Sequence, residues 1–356
     1  MLANFPRWPS KKDGPEERTE GLLEGDIELQ DKQESSSPQA KPERPKLGFA
    51  LGGGAARGWS HIGVIRAFVE NGISPDLICG TSIGAVVGGC YLAGKLDELE
   101  EFARSLSRRR VFGLMDLSIG GSGLIGGQRL RARLESHVGD MLVEDLSRPF
   151  AAVATELGTG HEIWIKSGSL AHALRCSYAL PGVFEPVTLG GRWLVDGALV
   201  NPIPVSVCRA LGARVVVAVN LNSDTFGRGS TVIHDLPPAP PDALPEVEQQ
   251  MKDAMGKTMG KTASRILRRH FLNGRSNGLP GISGVMMDSY NIIQDRIGRS
   301  RLAGDPPDVV MSLRLGHLGL FDFHRADEAI KVGYEAGLKA LDETQSCLDH
   351  IPRTHV

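Results

Sequence analysis

Residues 46–94 contain two successive units of strand, glycine-rich turn and helix, and this order limits the possible folds most. KLGFAL (46–51) predicts a buried strand, GGGAARG a loop, and WSHIGVIRAFVENG an amphipathic helix that ends at Gly72. DLIC (76–79) predicts a second strand, and IGAVVGGCYLAG (83–94) predicts a second helix. Because strands separated by helices pair in parallel, the order predicts an α/β fold with helices on the faces of a parallel sheet.

Four further strands are predicted along the chain, at FAAVATEL (150–157), HEIWIK (161–166), RVVVAVNL (214–221) and DVVMSLRL (308–315). The stretch HRADEAIKVGYEAGLKALDE then predicts a long final helix. Residues at helical spacing give this helix a face of mostly small side chains, formed by Ala329, Ile330, Gly333, Ala336 and Gly337.

The composition of the chain bears on the cellular compartment in which we expect the protein. Hydrophobic residues make up 41% and charged residues 23% of the 356 residues, as in ordinary globular proteins. The sequence has no run of about 18 apolar residues and no apolar segment typical of a signal peptide near its first residue. Five irregularly spaced cysteines match neither a zinc site nor a disulfide framework. We therefore expect a cytoplasmic protein.

Charge is unevenly distributed along the chain. Residues 1–45 carry seven basic and ten acidic side chains, with many Ser, Pro and Gln and few aromatic residues, which predicts a disordered tail. The other residues include 33 basic and 32 acidic side chains, so the body of the protein has a charge of about +1. This balance argues against a nucleic-acid-binding surface.

Residues 223–285 interrupt the alternation of strands and helices. Within this segment, 244–272 predicts a helix with Val247 and several methionines on one face and basic residues such as Lys257 on the opposite face. Two interpretations remain open. The helix covers the core with its basic face in solvent, or it rests on an anionic membrane surface.

Ser82 lies in the pattern Gly80-x-Ser82-x-Gly84, between a predicted strand and a predicted helix. A strained turn between strand and helix is the setting in which a serine nucleophile is exposed, and small flanking residues permit it. The alternative is a serine that only caps the helix. That alternative predicts no second catalytic feature nearby.

The loop LGGGAARG (51–58) provides such a second feature. Its glycines can direct several backbone amides to one point, which suits a phosphate or an oxyanion. The dinucleotide-binding pattern fails because Arg57 occupies the third glycine position, and the P-loop pattern fails because no Gly-Lys-Ser/Thr follows. Parallel strands would bring this loop and Ser82 to the same edge of the sheet.

A serine nucleophile also needs a base. A Ser-Asp-His order is available in the sequence, since His234, His317 and His324 follow Asp196. However, the usual hydrolase fold of that order has several strands before the serine, and here few ordered residues precede Ser82. Asp196, in WLVDGALVNPIP, is the competing candidate for direct general base. His61, near the loop, is expected to pack in the core.

Taken together, GGGAARG, GTSIG and the later DGA resemble the patatin-like phospholipases. The resemblance extends from about Lys46 to about Asp342 and includes ARGWSHIGVI, FAAVATEL, WLVDGALVNPIP, AGDPPDVV and FDFHRADEAI. The branch that it resembles most is that of small bacterial proteins similar to the catalytic domain of neuropathy target esterase. The third position of the DGA motif differs from the commoner Asp-Gly-Gly by one methyl group, and residues 223–285 match only loosely.

The resemblance implies a three-layer α/β/α fold with a mostly parallel central sheet, and a Ser-Asp dyad without histidine. Ser82 would be the nucleophile and Asp196 the base. Arg57 would shape its loop or contact a lipid phosphate as a substrate-binding residue. No metal or other cofactor is implied. The oxyanion hole would be formed by Gly52, Gly53, Gly54 and Ala55.

The domain organisation that follows is a tail over 1–45, a catalytic domain over 46–345 and a C-terminal tail over 346–356. The implied activity is hydrolysis of phospholipid or lysophospholipid esters through an acyl-enzyme. Peripheral contact with the anionic inner membrane surface through 244–272 is part of this expectation. The alternatives are a carboxylesterase or acyltransferase that acts on other acyl esters, and a non-catalytic scaffold.

Overall fold

The computed structural model describes residues 44–114, 127–224 and 282–351. In these ranges eight strands form one sheet. Their bounds are β1 Leu47–Leu51, β2 Leu77–Thr81, β3 Phe150–Glu156, β4 Glu162–Ile165, β5 Val187–Leu189, β6 Arg192–Asp196, β7 Val215–Asn220 and β8 Val309–Ser312.

The sheet is parallel at its centre and antiparallel at one side. Its order is β5-β6-β3-β2-β1-β7-β8, with β4 also paired to β3. The contacts of β1 with β2 and β7, of β2 with β3, and of β7 with β8 are parallel. β4 and β6 both run antiparallel to β3, and β5 runs antiparallel to β6. The predicted mostly parallel central sheet is confirmed.

Helices cover both faces of the sheet. Side chains alternate along β1, so that Phe49 packs in the larger core cluster and Ala50 in the smaller cluster on the opposite face. The larger cluster includes side chains from the helices over 60–70, 83–92, 170–178 and 326–350, and the smaller one includes side chains from the helix over 205–210. The predicted three-layer fold is therefore confirmed. The helix bounds are α1 Ser60–Glu70, α2 Ile83–Leu92, α3 Leu96–Arg104, α4 Arg108–Leu114, α5 Gln128–Val138, α6 Leu170–Tyr178, α7 Val205–Ala210, α8 Ile282–Gly304 and α9 Ala326–His350.

Strands β2 and β6 meet end to end beside β3. Along one edge of β3, residues 152–155 pair with β4. β2 and β6 each pair with some of these same β3 residues, so both must lie along its other edge. There Thr81, the last residue of β2, is opposite Val153, and Asp196, the last residue of β6, is opposite Ala154. Because the two strands run in opposite directions, their ends face each other. The register thereby brings the turn after β2 against the turn after β6.

Helices α1 and α9 pack with their backbones in contact. A methyl group on Gly333 would lie 1.9 Å from the carbonyl oxygen of Ser60, and one on Gly63 would lie 2.0 Å from that of Ile330. The predicted small-residue face of the final helix is thus a contact surface, although Ala336 is only partly buried. α9 continues to His350, which is five residues beyond the predicted end of the catalytic domain.

Several details differ from the sequence predictions. In the predicted amphipathic helix α1, the apolar side chain of Val69 is 38% exposed, one residue before the helix ends at Glu70. The short strand β5 and the helices α3 to α8 are not among the predicted elements. Residues 1–43 of the predicted tail, the predicted amphipathic helix at 244–272 and residues 352–356 lie outside the described residues. Across the described ranges, none of the helices combines the length and apolar character needed to span a bilayer.

We predict that Gly333→Ala destabilises the protein by about 3 kcal/mol, because an added methyl group forces the backbones of α1 and α9 apart. Urea unfolding followed by circular dichroism measures the change. Gly304→Ala, at a helical glycine where a methyl group meets nothing within 4 Å, is the control and is expected to have little effect. Equal stability of the two variants would contradict the packing described here.

Candidate active site

Ser82 occupies a strained turn between β2 and α2. Its backbone angles, φ 57° and ψ −124°, lie in a region that residues other than glycine rarely adopt. The turn is tight because Gly80 and Gly84 permit it. A methyl group on Gly80 would lie 2.4 Å from the backbone of Ala85, and one on Gly84 would lie 2.2 Å from the carbonyl oxygen of Leu51. The local sequence therefore holds Ser82 at the N-terminus of α2.

Ser82 is hydrogen-bonded to Asp196. Its Oγ donates to Asp196 Oδ2 at 2.5 Å, and both side chains are buried. The end-to-end arrangement of β2 and β6 produces this contact, since Asp196 is the last residue of β6. The Ser82 amide donates to the hydroxyl of Ser177 at 2.8 Å, and that hydroxyl donates to the carbonyl oxygen of Val153. Ser177 thus ties the turn to β3.

Burial makes Asp196 a stronger base than an ordinary aspartate. Desolvation raises the pKa of Asp196 to about 6. Hydrogen bonds from Ser82 and from the Ala198 amide, together with the nearby Tyr290 hydroxyl, oppose the shift and lower the pKa. The carboxyl group is consequently ionised at neutral pH but accepts a proton far more readily than an exposed aspartate. This is the balance that a general base requires.

The glycine loop lies directly against Ser82. A methyl group on Gly53 would be 3.5 Å from the Cβ of Ser82. The amides of Gly52 and Gly53 already donate to the carbonyl oxygens of Val219 and Pro202.

The next two amides of the loop differ from these. Within the described ranges, the amides of Gly54 and Ala55 have no hydrogen-bond acceptor. Ala55 lines the pocket beside Ser82. Its φ of 49° makes it, with Ser82, one of two residues other than glycine with positive φ in the described residues. Such strain is commonly concentrated at functional sites.

Arg57 points into the protein interior and away from the pocket. Its side chain is 3% exposed and is not among the pocket-lining residues. Nε donates to the carbonyl oxygen of Leu318 at 3.0 Å, and Nη1 donates to Asn222 Oδ1 at 2.7 Å. Burial lowers the pKa of Arg57, and the charge of Asp224 opposes this shift. Of the two roles expected for Arg57, the structure favours shaping the loop over contact with a lipid phosphate.

His61 is also hydrogen-bonded to the glycine loop. It is fully buried, and its Nε2 lies 2.8 Å from the carbonyl oxygen of Gly52, to which it donates. Burial lowers the pKa of His61 to about 4, so the ring is neutral at neutral pH. The expectation that His61 packs in the core is confirmed.

No histidine in the described residues is hydrogen-bonded to Ser82 or Asp196. His317 pairs with Glu328 at 2.6 Å, and His324 accepts from Arg108. Neither lines the pocket around Ser82. His234, the third candidate for a triad, lies outside the described residues.

A largely apolar pocket opens beside Ser82 and Asp196. It encloses about 1340 Å³, part of which is open solvent, and Ser82, Asp196 and Ala55 lie in its wall. The pocket passes between helices α2, α3, α5 and the segment after α6. Its apolar wall includes Val86, Leu99, Phe102, Leu106, Leu134 and Phe184. Such a pocket suits a hydrocarbon chain.

Two pocket residues on α8 were missed by the sequence analysis. Tyr290 and Gln294 are buried and line the pocket together with Ser82 and Asp196. They are four residues apart, so they share a face of the helix. That spacing was visible in the sequence, but polar residues on a helix ordinarily predict a solvent-facing surface.

Comparison with known proteins identifies relatives of this chain. The family model for patatin-like phospholipases matches residues 49–209. An uncharacterized NTE family protein of Mycobacterium tuberculosis (strain ATCC 25618 / H37Rv) is 34% identical over 331 residues, which covers 84% of this chain and 92% of the relative.

Two other proteins are also similar to this chain. Patatin-like phospholipase domain-containing protein 6 of Mus musculus is 32% identical over 184 residues, which is 50% of this chain and 14% of the mouse protein. Among solved structures, VipD from Legionella pneumophila has a TM-score of 0.39 and 15% identity, and the match covers 85% of this chain and 67% of VipD.

We predict that Asp196→Asn stabilises the protein by about 2–3 kcal/mol above pH 6, because it removes a buried charge. The pKa of Asp196 is about 6 in the folded protein and ordinarily 3.8, so the penalty of the charge builds up between these values. The gain should therefore disappear as the pH falls from 6 to 4. Urea unfolding at pH 8 and pH 4 measures it.

The control for this prediction is Asp349→Asn, a substitution at an exposed aspartate on α9. It is expected to leave stability nearly unchanged at both pH values. A gain in the Asp196 variant that does not depend on pH would show that the buried charge is not its cause.

Proposed function

Because this chain belongs to the patatin-like phospholipases, among the NTE family proteins, we propose that it is a serine acyl hydrolase. Its substrates are the carboxylic esters of phospholipids or lysophospholipids, cleaved through an acyl-enzyme. The observation that carries the proposal is the 2.5 Å hydrogen bond from Ser82 Oγ to the buried Asp196, in the wall of an apolar pocket.

The first half of the reaction acylates Ser82. Asp196 takes the hydroxyl proton as Ser82 Oγ attacks the ester carbonyl carbon. Asp196 then gives this proton to the departing alcohol oxygen, and the carbon–oxygen bond to that alcohol breaks. The second half transfers the acyl group to water, with Asp196 again as the base.

The negative charge that forms on the carbonyl oxygen needs hydrogen-bond donors. We assign this role to the amides of Gly54 and Ala55, since those of Gly52 and Gly53 are engaged by other carbonyl groups. The N-terminus of α2, which begins directly after Ser82, adds a favourable dipole. Removing one such donor from an oxyanion hole typically costs about 3 kcal/mol of transition-state stabilisation.

The pocket favours a long acyl chain over a small soluble ester. Away from Asp196, Tyr290 and Gln294 most of the pocket wall is apolar, so each additional methylene group that enters it is removed from water, which is worth about 0.8 kcal/mol. A carboxylesterase for small esters would not require such a lining. Membrane contact through 244–272 stays a prediction from the sequence, because these residues lie outside the described part of the chain.

We expect a fluorophosphonate probe to label the wild-type protein at one serine and not to label Ser82→Ala. Because the ionised carboxylate of Asp196 activates Ser82, the labelling rate should fall as the pH drops through about 6, the pKa of Asp196. Mass spectrometry of the labelled protein gives the site and the extent of labelling. Ser346→Ala, at an exposed serine on α9, is the control and should label normally.

Failure of the folded wild-type protein to react with the probe would favour the non-catalytic scaffold. Labelling that persists in Ser82→Ala would assign the nucleophile to another residue.

The acyl pocket is tested by filling it next to Ser82. Val86 lines the pocket one turn further along α2, so Val86→Phe should obstruct long chains. We expect kcat/KM for a dodecanoyl ester to fall about tenfold relative to that for a butanoyl ester, which corresponds to about 1.4 kcal/mol. Val69→Phe, at an exposed position on α1, is the control. An unchanged ratio in Val86→Phe would mean that the acyl chain binds elsewhere.

A further inference from the structure

Two buried polar atoms on α8 lack hydrogen-bond partners next to the dyad. Tyr290 Oη and Gln294 Nε2 are two of the four buried side-chain atoms without a partner among the described residues. Tyr290 is 8% and Gln294 1% exposed, and both line the pocket that contains Ser82 and Asp196. Buried polar groups in proteins are nearly always paired, so two unpaired groups that face one pocket indicate a polar ligand.

The orientation of the Gln294 carboxamide is determined by Arg57. A guanidinium group only donates hydrogen bonds, so the Asn222 atom 2.7 Å from Arg57 must be the acceptor, Oδ1. Asn222 Nδ2 consequently donates to Gln294 Oε1, at 2.8 Å. The Nε2 group of Gln294 is therefore directed away from Asn222. Gln294 is close enough to the Tyr290 hydroxyl to oppose the rise in the pKa of Tyr290, but the two groups do not meet the geometry of a hydrogen bond, so the hydrogens of Nε2 can be donated to a bound molecule.

The Tyr290 hydroxyl is directed toward Asp196. Burial, and then the charge of Asp196, raise the pKa of Tyr290 well above its ordinary value, so this side chain is a neutral hydroxyl. It is close enough to lower the pKa of Asp196, although the two groups do not meet the geometry of a hydrogen bond. A hydroxyl hydrogen turned toward the carboxylate leaves the lone pairs of Oη free to accept.

The second half of the proposed reaction requires a water molecule at this position, and the inference rests on that proposed function. Once Ser82 Oγ is acylated it has no hydrogen, so Asp196 Oδ2 loses the donor that it has in the free protein. A water molecule has to replace that donor and present a lone pair to the acyl carbonyl carbon. A buried water is stable only where two to four polar groups hold it.

We propose that Tyr290 and Gln294 bind and orient the hydrolytic water beside Asp196. The water donates one hydrogen to Asp196 and the other to Tyr290 Oη, and accepts a hydrogen bond from Gln294 Nε2. Its remaining lone pair attacks the acyl carbonyl carbon, and Asp196 takes a proton from the water. The bond between that carbon and Ser82 Oγ then breaks, Ser82 recovers the proton from Asp196, and the carboxylic acid leaves.

Tyr290→Phe tests the proposal, because it removes the hydroxyl and keeps the ring. With p-nitrophenyl octanoate, the release of p-nitrophenol in the first turnover reports acylation, and the steady state together with the mass of the quenched protein reports deacylation. We expect acylation to stay within about twofold of wild type. Deacylation should slow about tenfold to a hundredfold, as expected when a reacting water loses its alignment. The acyl-enzyme should then accumulate on Ser82.

Tyr334→Phe is the matched control, since its hydroxyl bonds Glu70 on the distant contact of α9 with α1, at 2.8 Å. Its two rates should equal those of the wild type. Gln294→Leu, which removes the Nε2 donor, should also slow deacylation selectively.

Equal slowing of both steps in Tyr290→Phe would overturn the proposal in favour of a structural role. Slowing of acylation alone would overturn it in favour of binding the leaving alcohol, and an unchanged deacylation rate would overturn it outright. If the wild-type protein forms no acyl-enzyme on Ser82, the proposed function itself fails and the inference fails with it.

Discussion

The site depends on a contact between two backbones, where the first turn of α2 touches the end of β1. At Gly84 a side chain would collide with the carbonyl oxygen of Leu51, so only glycine permits this approach. The contact brings the glycine loop after β1 against the turn after β2, and it leaves Gly53 beside Ser82. The strain at Ser82 and Ala55 is maintained because the packed strands and helices around them allow no alternative conformation.

The register of one strand joins Ser82 to the carboxylate of Asp196. β3 pairs with the end of β2 at Val153 and with the end of β6 at Ala154, so two strands distant in sequence terminate side by side. The position is almost free of solvent, and this raises the pKa of Asp196. The folded protein is destabilised by an ionised carboxylate there, which is the reverse of what stability alone would favour. Ionisable groups held in an environment that lowers the stability of the folded protein are characteristic of functional sites.

A buried polar network links the glycine loop to α8. Arg57 belongs to the loop, Asn222 follows β7, and Gln294 lies on α8, yet consecutive hydrogen bonds connect them. Because Arg57 can only donate, its position determines which atom of each amide faces its neighbour. The same cation therefore supports the loop beside Ser82 and orients the carboxamide that faces the pocket. The glycine loop, the Ser82–Asp196 pair and α8 all lie around the apolar pocket.

The sequence alone determined the features that depend on a few neighbouring residues. The spacing of Gly80, Ser82 and Gly84 predicted the strained turn, and the alternation of strands and helices predicted the parallel sheet. Asp196 could be selected over the histidines only through the family resemblance, because nothing in an Asp-Gly turn indicates which strand end it will meet. The amides of Gly52 and Gly53 donate to the carbonyl groups of Val219 and Pro202, whereas those of Gly54 and Ala55 have no acceptor among the described residues, and the sequence does not indicate this difference. Tyr290 and Gln294 lie on a helix that was not predicted. These choices belonged to the tertiary structure because hydrogen-bond partners and burial are set by packing between distant segments, whereas backbone preferences act over only a few residues.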